Sequence, residues 1–233
     1  MYDKGSHGGT RGNLCCSGGK SLANIFDLFK KIRQEVPQAS PITRVVACLG
    51  NPGEKYTHTR HNCGFICADY LFQKYHASPW RIRFQALCAE CVIGGFRTLI
   101  MKPQTYMNNS GEAVREALAF YKLTPSAVVV ICDDISFACG RMRIRADGSD
   151  GGQRGLRSVI QQLNTDKFPR IRLGAGQKPE QYDMADWVLS QFTKEEEKAL
   201  FARLEDAAEA LPLLFSGEIE TAMSRCNGRG RNE

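Results

Sequence analysis

His61 is the side chain of this sequence best suited to acid–base chemistry. It lies ten residues after Asn51, in the stretch ACLGNPGEKYTHTRHNCGF that spans residues 47–65. The ordinary pKa of an imidazole is near 6.5, so a histidine can act as a neutral base at neutral pH. A histidine also fits a purely structural role, as a hydrogen-bonded residue of a core. Which role His61 has depends on the elements that position it.

The segments around His61 predict a strand, a turn and a helix. Residues 44–49 (RVVACL) are mainly apolar with β-branched content, and the Gly/Pro-rich sequence at 50–53 ends this run with a turn. Asn51 then lies at the C-terminal end of a strand, where open α/β sheets place their ligand crevices. Beyond residue 57, apolar residues recur at helical spacing. His61 is therefore predicted to lie at or near a helix N-terminus, which favours a neutral imidazole.

A second polar cluster follows another predicted strand. The apolar run at 127–132 (AVVVIC) is typical of a strand buried on both faces, and it ends in the carboxylates Asp133 and Asp134. Three guanidinium groups share one face of a further strand, because they alternate with apolar residues: Arg141, Arg143 and Arg145. Asp133 also fits a turn former or a helix cap, and the arginine face also fits an ordinary solvated surface.

The remaining segments alternate between helical and strand patterns. The predicted elements are a hairpin of 84–93 with 96–101, a helix at 107–123 capped by Asn108, Asn109 or Ser110, a Gly-rich loop at 148–155 before a helix at 155–163, a strand at 170–175 and a helix at 193–215. Thr193 and Glu196 have the spacing of a capping box. Strands interspersed with helices indicate an α/β fold, here a single-domain three-layer sandwich in which helices flank a mixed, mostly parallel sheet.

Length and composition bound the domain organisation. The 233 residues, 42% of them hydrophobic, suffice for one substantial core. We predict a leader at 1–41 with a short amphipathic helix near 21–32, one folded domain at 42–225 and a flexible tail at 226–233. The net charge of +6 favours an acidic partner such as nucleic acid. Since no apolar run approaches the roughly 20 residues that span a bilayer, the sequence predicts a soluble, cytoplasmic protein.

The ten cysteines predict buried free thiols and not a disulfide scaffold. Six of them lie inside apolar strand or helix patterns: Cys48, Cys63, Cys67, Cys88, Cys91 and Cys132. Cys88 and Cys91 have a CxxC spacing, but on a strand they point to opposite faces. His58 and His61 have the spacing of metal ligands without a third ligand nearby. The sequence therefore predicts no metal and no other cofactor.

Three segments of this sequence occur together in a specific order. They are Leu49-Gly50-Asn51-Pro52-Gly53 through Thr59-Arg60-His61-Asn62, the sequence KPQTYMNNSG at 102–111, and Asp133-Asp134 followed by the loop at 148–155. The combination, over roughly residues 44–220, resembles the bacterial-type peptidyl-tRNA hydrolase family. The sequence GNPG alone would be a weak signal, whereas three segments in the family order and spacing are a specific one.

The resemblance implies hydrolysis of the ester that joins a peptide to the 3′ end of tRNA, which recycles tRNA from stalled or abandoned translation. The implied catalytic residues are His61, the general base that activates water, Asp133, which holds and supports it, and Asn51. Asn51 and Asn108 match residues that position water and substrate, although each alone also fits a turn or cap. One imidazole can suffice for an ester, and without a GxSxG motif direct attack by water is favoured.

The resemblance also implies a binding surface for tRNA. The substrate-binding and tRNA-binding residues that it implies are Tyr56, Tyr106, Met107, Asn108, Arg143, Arg145 and Arg154. The two tyrosines match residues that contact the tRNA end or the peptidyl group. Arg143 and Arg145 match a basic stretch that clamps backbone phosphate near the acceptor stem. The expected partner is peptidyl-tRNA, bound through its acceptor stem and 3′ end, and the expected state is a monomer without contact to a membrane.

One segment departs from the family pattern. Where the family typically reads Gly-Gly-His-Asn-Gly-Leu, this chain has GGQRGL at 151–156. The family asparagine contributes to substrate or water binding, and the guanidinium of Arg154 cannot accept a hydrogen bond. Two alternatives stay open for Arg154: it contacts a phosphate or the peptide carbonyl, or it reduces the turnover of the enzyme. Gln153 keeps an amide group one residue earlier. The departure supports an alternative function, a non-catalytic RNA-associated binding protein on the same fold, as some relatives of the family are.

Overall fold

Seven strands form a single sheet in the computed structural model, which describes residues 40–228. In chain order they are β1 (Arg44–Cys48), β2 (Arg81–Arg83), β3 (Ala86–Ile93), β4 (Phe96–Pro103), β5 (Val128–Asp134), β6 (Met142–Arg145) and β7 (Arg170–Gly174). Their order across the sheet is β2-β3-β4-β1-β5-β7-β6. The central strands β4, β1, β5 and β7 run parallel, while β2, β3 and β6 join through antiparallel pairings. The prediction of a mixed, mostly parallel sheet is confirmed.

Helices cover both faces of this sheet. They are α1 (Cys63–Lys74), α2 (Ser110–Tyr121), α3 (Arg154–Leu163), α4 (Met184–Leu189), α5 (Lys194–Ser216) and α6 (Ile219–Cys226). Buried residues of α1, α5 and α6 pack on one face of the sheet, and those of α2 and α3 pack on the other. The predicted three-layer sandwich is therefore confirmed.

The unbroken apolar runs of the central strands follow from this double cover. In β1, Val46 and Cys48 belong to the core beneath α1 and α5, whereas Val45 and Ala47 belong to the core beneath α2 and α3. All four side chains are fully buried. Burying a valine-sized side chain contributes about 1.5–3 kcal/mol. In a strand covered on both faces, every side chain of the central part is buried, so apolar residues are favoured there at successive positions and polar residues at the strand ends.

Most of the predicted elements are present with small shifts of their ends. The hairpin of β3 and β4 turns at Gly94-Gly95, and α3 follows the Gly-rich loop. Helix α5 starts with the predicted capping box, in which Thr193 and Glu196 each accept a hydrogen bond from the other's backbone N–H. The helix predicted at 107–123 is shorter, because it begins with a 3-10 turn at Met107–Asn109 and α2 ends at Tyr121.

The N-terminus of α2 receives its cap from a neighbouring helix. Asn109 occupies the cap position, but its side chain makes no capping hydrogen bond. The backbone N–H of Gly111 instead donates to Ser158 Oγ of α3 at 3.0 Å. A Cβ atom at Gly111 would lie 2.2 Å from the backbone oxygen of Ser158. The two helices therefore cross closely enough for one to cap the other only because residue 111 is glycine.

Eight cysteines lie within the described residues, and all eight are free thiols. The six that lie in apolar sequence patterns are all buried, as predicted. Cys88 packs beneath α2 and α3, and Cys91 packs on the opposite face of the sheet, as alternation along β3 predicts. Over residues 40–228, no group of three or more His, Cys, Asp or Glu side chains is arranged to hold a metal ion. In the same range, no helix combines the length and apolar character that crossing a membrane requires.

The ends of the chain extend past the described range. The predicted leader and its amphipathic helix near 21–32 lie outside it, except for residues 40 and 41, and residues 229–233 also lie outside. The side chain of Asn227 pairs with the backbone N–H and C=O of Ile144, at 2.6 and 3.2 Å. The chain is thus attached to β6 one residue after α6 ends. The boundaries predicted for the leader, the folded domain and the tail stay predictions.

Gly64 sets how closely α1 approaches the sheet. A Cβ atom at this position would lie 2.4 Å from the backbone oxygen of Leu49 and 2.7 Å from that of Ile131. We predict that Gly64→Ala lowers the free energy of unfolding by about 1–3 kcal/mol, because strand backbone cannot move aside. Urea denaturation measures the change. Gly228→Ala is the matched control, since no atom lies within 4 Å of its added Cβ; equal losses in the two variants would contradict the prediction.

Candidate active site

A cavity of about 500 Å³ opens at the C-terminal edge of the parallel strands. Its lining comes from the segments that follow β1 and β4, the end of β5, the Gly-rich loop before α3, and α4. Strand β1 lies between β4 and β5. The helices that follow β1 and β4 lie on opposite faces of the sheet, and open α/β sheets form ligand crevices at such points. Seven of the predicted site residues line the cavity: Asn51, His61, Tyr106, Met107, Asn108, Asp133 and Arg154.

His61 is held at the cavity by a short 3-10 turn. The turn spans Arg60–Asn62 and leads directly into α1, so the predicted position near a helix start is confirmed. Asp133 near the end of β5 lies beside it, and His61 Nδ1 is 2.9 Å from Asp133 Oδ2. Only 9% of His61 and 2% of Asp133 are exposed. Because the carboxylate occupies Nδ1, Nε2 is the ring nitrogen left for a ligand.

The surroundings of His61 raise its pKa above the ordinary value. Burial is the largest single influence and lowers the pKa, because it disfavours the charged imidazolium. The charge of Asp133 and its hydrogen bond act in the opposite direction and together outweigh burial, while the charge of Arg154 lowers the pKa. An imidazole whose charged form is stabilised by a carboxylate on Nδ1 is well arranged to take a proton through Nε2.

Two amide side chains fix the loop after β1. The side chain of Asn62 bonds the backbone of Asn51 twice, since its Oδ1 accepts from Asn51 N at 2.8 Å and its Nδ2 donates to Asn51 O at 3.0 Å. The side chain of Asn51 accepts from the backbone N–H of Met107 through Oδ1, at 2.9 Å. A backbone N–H can only donate, so this bond identifies the amide oxygen. Asn51 Nδ2 is therefore the group that Asn51 offers to a ligand.

Tyr106 has a strained backbone. Its φ of 57° and ψ of 162° lie in a region that glycine alone adopts readily. Neighbouring bonds hold this conformation, because Tyr106 O accepts from Asn109 N at 3.1 Å and the N–H of the next residue donates to Asn51. The side chain is 55% exposed. Strain of this kind is concentrated at binding sites, where it presents a side chain to a ligand.

The second carboxylate of the Asp133-Asp134 pair serves the turn that follows β5. Asp134 Oδ1 accepts from the backbone N–H and the hydroxyl of Ser136, at 2.8 and 2.6 Å. Asp134 Oδ2 lies 2.8 Å from Nε of Arg172. Both oxygens of Asp134 are thereby occupied, and Asp133 is the carboxylate that faces His61.

Three predicted site residues lie outside the cavity lining. Tyr56 ends a short 3-10 turn after β1 and is half-buried. Arg143 and Arg145 lie on the more exposed face of β6, opposite to that strand's buried residues, so the predicted alternation is confirmed. Arg141 precedes the strand. The proposed contacts of Tyr56, Arg143 and Arg145 with a substrate stay predictions.

Comparison with known proteins gives a consistent result. The family model described as peptidyl-tRNA hydrolase matches residues 45–233. The peptidyl-tRNA hydrolase of Caldicellulosiruptor bescii is 44% identical over 184 residues, which are 79% of this chain and 96% of the relative. That of Rhodopirellula baltica is 40% identical over 184 residues, which are 79% of this chain and 97% of the relative. The chain belongs to the peptidyl-tRNA hydrolase family.

A solved structure of the family agrees with this assignment. The crystal structure of peptidyl-tRNA hydrolase from Acinetobacter baumannii superposes with a TM-score of 0.75 at 29% identity, and the match covers 79% of this chain and 94% of that one. These three relatives are all named as peptidyl-tRNA hydrolases. They lend no support to the alternative of a non-catalytic RNA-associated binding protein.

Gln153 occupies the position at which peptidyl-tRNA hydrolases typically carry histidine. Its side chain caps α3, because Oε1 accepts from Leu156 N at 2.6 Å. Its Nε2 donates to Asp133 Oδ1 at 2.9 Å. The sequence shows that an amide is present here, but it does not show that this amide reaches the carboxylate beside His61. That contact depends on how the Gly-rich loop folds back on β5.

Arg154 replaces the asparagine that peptidyl-tRNA hydrolases typically carry at the next position. It is the first residue of α3 and is exposed at the cavity wall. Among residues 40–228, no hydrogen bond or ion pair holds its guanidinium. The cavity of this family member therefore has an unpaired cation in its wall, and that charge lowers the pKa of His61.

Arg60 anchors α4 beside the cavity, a role that its place in the family motif did not reveal. The side chain is 3% exposed and bonds both carboxylate oxygens of Glu196, at 2.9 and 2.7 Å. Its guanidinium also stacks on Trp187, 3.8 Å from the ring centroid. Trp187 is the buried residue of α4. Since Arg60 directly precedes His61, one turn of chain holds both the imidazole and a helix that lines the same cavity.

Asp133→Asn tests the source of the raised pKa of His61. Removing the carboxylate charge leaves burial and Arg154, which both lower the pKa, so we predict that the pKa of His61 falls. Proton NMR titration of the imidazole C–H signals measures it. The sequence has four histidines, and the signal missing from His61→Ala identifies the relevant one.

The same variant changes how stability depends on pH. A folded pKa above the unfolded value means that His61 contributes stability that is complete below the unfolded pKa, about 6.5, and is lost as the pH rises through the folded pKa. Asp133→Asn should remove this contribution to the free energy of unfolding at acid pH and should change the free energy of unfolding less at alkaline pH. A pKa of His61 that is unchanged or higher in the variant would contradict the assignment.

Proposed function

We propose that this protein hydrolyses the ester bond between peptide and tRNA in peptidyl-tRNA, and so recycles tRNA from stalled or abandoned translation. The observation that carries the proposal is the 2.9 Å hydrogen bond between His61 Nδ1 and Asp133 Oδ2. It lies at the wall of a cavity that Asn51 also lines. Membership of the peptidyl-tRNA hydrolase family supports the same reaction.

His61 is the general base of the proposed mechanism. Its Nδ1–H donates to Asp133, so the lone pair of Nε2 takes a proton from a water molecule in the cavity. The water oxygen bonds to the ester carbonyl carbon at the same time, and Asp133 stabilises the imidazolium as it forms. General-base catalysis of this kind accelerates a reaction by about 10²–10⁴-fold. The raised pKa of His61 supports this role, since it makes the imidazole a stronger base.

Asn51 stabilises the negative charge that the carbonyl oxygen acquires when water adds. The backbone N–H of Met107 holds Asn51 Oδ1, so Nδ2 is oriented to donate to this oxyanion. Loss of one such donor typically lowers the rate by about 10²–10³-fold. Asn108, the next residue of the same loop, lines the same cavity and positions the water and the substrate.

The leaving group is the 3′ oxygen of the terminal ribose of tRNA. When the tetrahedral intermediate collapses, the bond between this oxygen and the acyl carbon breaks. The imidazolium of His61 returns its proton to the departing oxygen and is neutral again. The products are tRNA with a free 3′ hydroxyl and a peptide with a carboxylic acid, which then ionises.

The lining of the cavity supports water, and not a protein side chain, as the nucleophile. Within residues 40–228, the side chains that line it include no serine, threonine or cysteine. An acyl-enzyme route needs such a group within hydrogen-bond reach of the base. The proposed reaction therefore proceeds without a covalent intermediate, and it draws on side chains alone, without a metal or other cofactor.

Arg143 and Arg145 bind phosphate near the acceptor stem. They lie in register with Arg172 and Arg170 of β7, so four guanidinium groups share one face of the sheet. Arg172 is paired with Asp134, and Arg170 bonds backbone oxygens. Arg143 and Arg145 are the members of this set that are available to a ligand. Guanidinium groups bind phosphate through parallel hydrogen bonds and do not read sequence, as an enzyme acting on many tRNAs requires.

The 3′ end of tRNA binds at the rim of the cavity. Arg154 offers its unpaired guanidinium to the phosphate of the terminal nucleotides. The exposed ring of Tyr106 is suited to stacking on a base. Met107 lines the same cavity and contributes apolar contact. Tyr56 lies farther out, and its contact with the tRNA end rests on the family resemblance.

Helix α4 provides an apolar wall for the peptidyl group. Met184, Val188 and Leu189 line the cavity, and Met184 and Leu189 are 50% and 41% exposed. Contacts between apolar side chains do not require a fixed geometry as hydrogen bonds do, so an apolar wall suits a peptide whose side chains vary from one substrate to the next.

We place this reaction in the cytoplasm, carried out by a monomer. The described cysteines are free thiols, which suits a reducing compartment.

His61→Ala tests the proposed function directly. Cleavage of N-acetyl-aminoacyl-tRNA should fall by about 10²–10⁴-fold, because the general base is lost, while affinity for deacylated tRNA should be unchanged. His58→Ala is the matched control, since the His58 side chain is 69% exposed and lines a different cavity. It should retain activity.

Each other outcome of this experiment has a distinct meaning. Retained cleavage in His61→Ala would remove His61 from the mechanism. Binding of tRNA by the parent protein without cleavage would favour the alternative of an RNA-associated binding protein. Cleavage of small activated esters that does not depend on tRNA would indicate an unrelated esterase.

Replacing Arg143 and Arg145 together by glutamine tests phosphate binding. The slope of log Kd against log salt concentration should become shallower by about one unit for each phosphate contact that is lost, while the rate at saturating substrate should not change. Arg81→Gln with Lys122→Gln is the control of equal charge, because Arg81 lies on β2, the opposite edge strand to β6, and Lys122 follows the last residue of α2. An unchanged slope in the arginine variant would make these residues ordinary surface charge.

A further inference from the structure

Gln153 connects the proposed general base to the N-terminus of a helix. Its Nε2 donates to Asp133 Oδ1 at 2.9 Å, and its Oε1 accepts from Leu156 N at 2.6 Å. The other oxygen of Asp133 bonds His61 Nδ1. A continuous series of hydrogen bonds therefore runs from the first turn of α3 through Gln153 and Asp133 to His61.

The direction of the Gln153 amide is fixed by two of its partners, Leu156 and Asp133, while Nε2 also donates to Met107 Sδ at 3.1 Å. The backbone N–H of Leu156 can only donate, and the carboxylate of Asp133 can only accept. Rotating the amide by 180° would place oxygen against the carboxylate and N–H against N–H. With 7% of Gln153 exposed, water has little access to relieve such a mismatch. The amide therefore donates to Asp133 in one defined orientation.

Glutamine is an unusual choice for the cap of a helix. Shorter polar residues such as Ser, Thr, Asp and Asn are preferred there, because their oxygen reaches the first-turn N–H with less loss of side-chain entropy. Relative to a cap residue such as serine, glutamine has one more methylene group and a carboxamide, which allow one side chain to cap α3 and reach Asp133 as well. Departures from the local structural preference are expected at functional sites, where a second contact compensates for them.

Asp133 needs both of its hydrogen-bond partners. It is 2% exposed, and a buried carboxylate is costly unless its oxygens accept hydrogen bonds. Without the donor from Gln153, Oδ1 would have no protein partner, and only the bond to His61 would hold the carboxylate. More of its negative charge would also act on the imidazole.

We propose that Gln153 is a positioning residue for the hydrolysis: it orients Asp133 toward His61 and offsets part of the carboxylate charge. The inference rests on the proposed function for its catalytic meaning, although its hydrogen bonds can be tested without turnover. Gln153 acts through Asp133 and His61, since both ends of its amide are already occupied and neither is left to bind the ester.

Gln153→Ser separates the two contacts of this residue. Serine can cap α3 as glutamine does but cannot reach Asp133, so the variant should stay folded with a lower thermal stability, because Oδ1 of the buried carboxylate loses its donor. The turnover rate on N-acetyl-aminoacyl-tRNA should fall about tenfold or more, because a poorly held base loses rate steeply, while KM should stay within about twofold. Gln153→His, which restores the residue typical of the family and a ring N–H for Asp133, should recover much of the rate. Gln161→Ser is the matched control on the exposed face of α3 and should behave like the parent protein.

The pH dependence distinguishes positioning from a merely structural role. Loss of the Gln153 donor leaves more negative charge on Asp133, which favours the imidazolium, so the pKa of His61 should rise in Gln153→Ser. The acid limb of kcat/KM should then move to higher pH, and the NMR titration of His61 should move in the same direction.

Each result separates this inference from the proposed function. A parent-like rate and acid limb in Gln153→Ser would overturn the positioning role. A lower rate with an unmoved acid limb, not recovered by Gln153→His, would also overturn it and leave only a structural effect. If the parent protein cleaves no peptidyl ester, the proposed function fails, and the NMR titration still decides whether Gln153 controls Asp133 and His61.

Discussion

The hydrogen bond between His61 Nδ1 and Asp133 Oδ2 joins two residues that are 72 positions apart in sequence. Such a bond tolerates displacements of only a few tenths of an ångström, and the fold is arranged to meet that limit. Strands β1 and β5 are parallel neighbours, so the segments that carry the two side chains leave the sheet at the same edge. Gly64 then lets the first turn of α1 touch the backbone of both strand ends. The position of the imidazole is thus fixed by backbone contacts before any ligand is considered.

Uncharged amides do most of the positioning around this pair. Asn62 holds the backbone of Asn51, Asn51 holds the loop that carries Met107, and Gln153 holds Asp133. An amide offers a donor and an acceptor in fixed directions and costs less to bury than a charge. The ion pair of Arg60 with Glu196 is used to anchor α4, and that of Asp134 with Arg172 serves the turn after β5. The electrostatic surroundings of His61 are therefore dominated by Asp133 and, with opposite sign, by Arg154.

The sequence predicts the elements of this fold well, because the signals for them are local. The apolar runs of β1 and β5, the alternation in β6 and the capping box of α5 each follow from neighbouring residues. The catalytic candidates follow from a resemblance over several segments. Contacts between distant side chains are not local, and these were missed: Ser158 caps α2, Arg60 stacks on Trp187, and Gln153 reaches Asp133. No spacing rule reveals them, since each depends on how closely two separate elements pack.

The exchange of histidine for glutamine at position 153 affects how the site takes up protons. When two ionisable groups are coupled, a titration yields values that belong to the pair and to neither residue alone. Two imidazoles bound to one carboxylate would form such a pair. The amide of Gln153 has no proton to gain near neutral pH, and among the residues that line the cavity in the described part of the chain His61 is the one imidazole. Near neutral pH, proton uptake at this site is therefore expected to centre on the imidazole of His61 and not to be spread over two imidazoles that share Asp133.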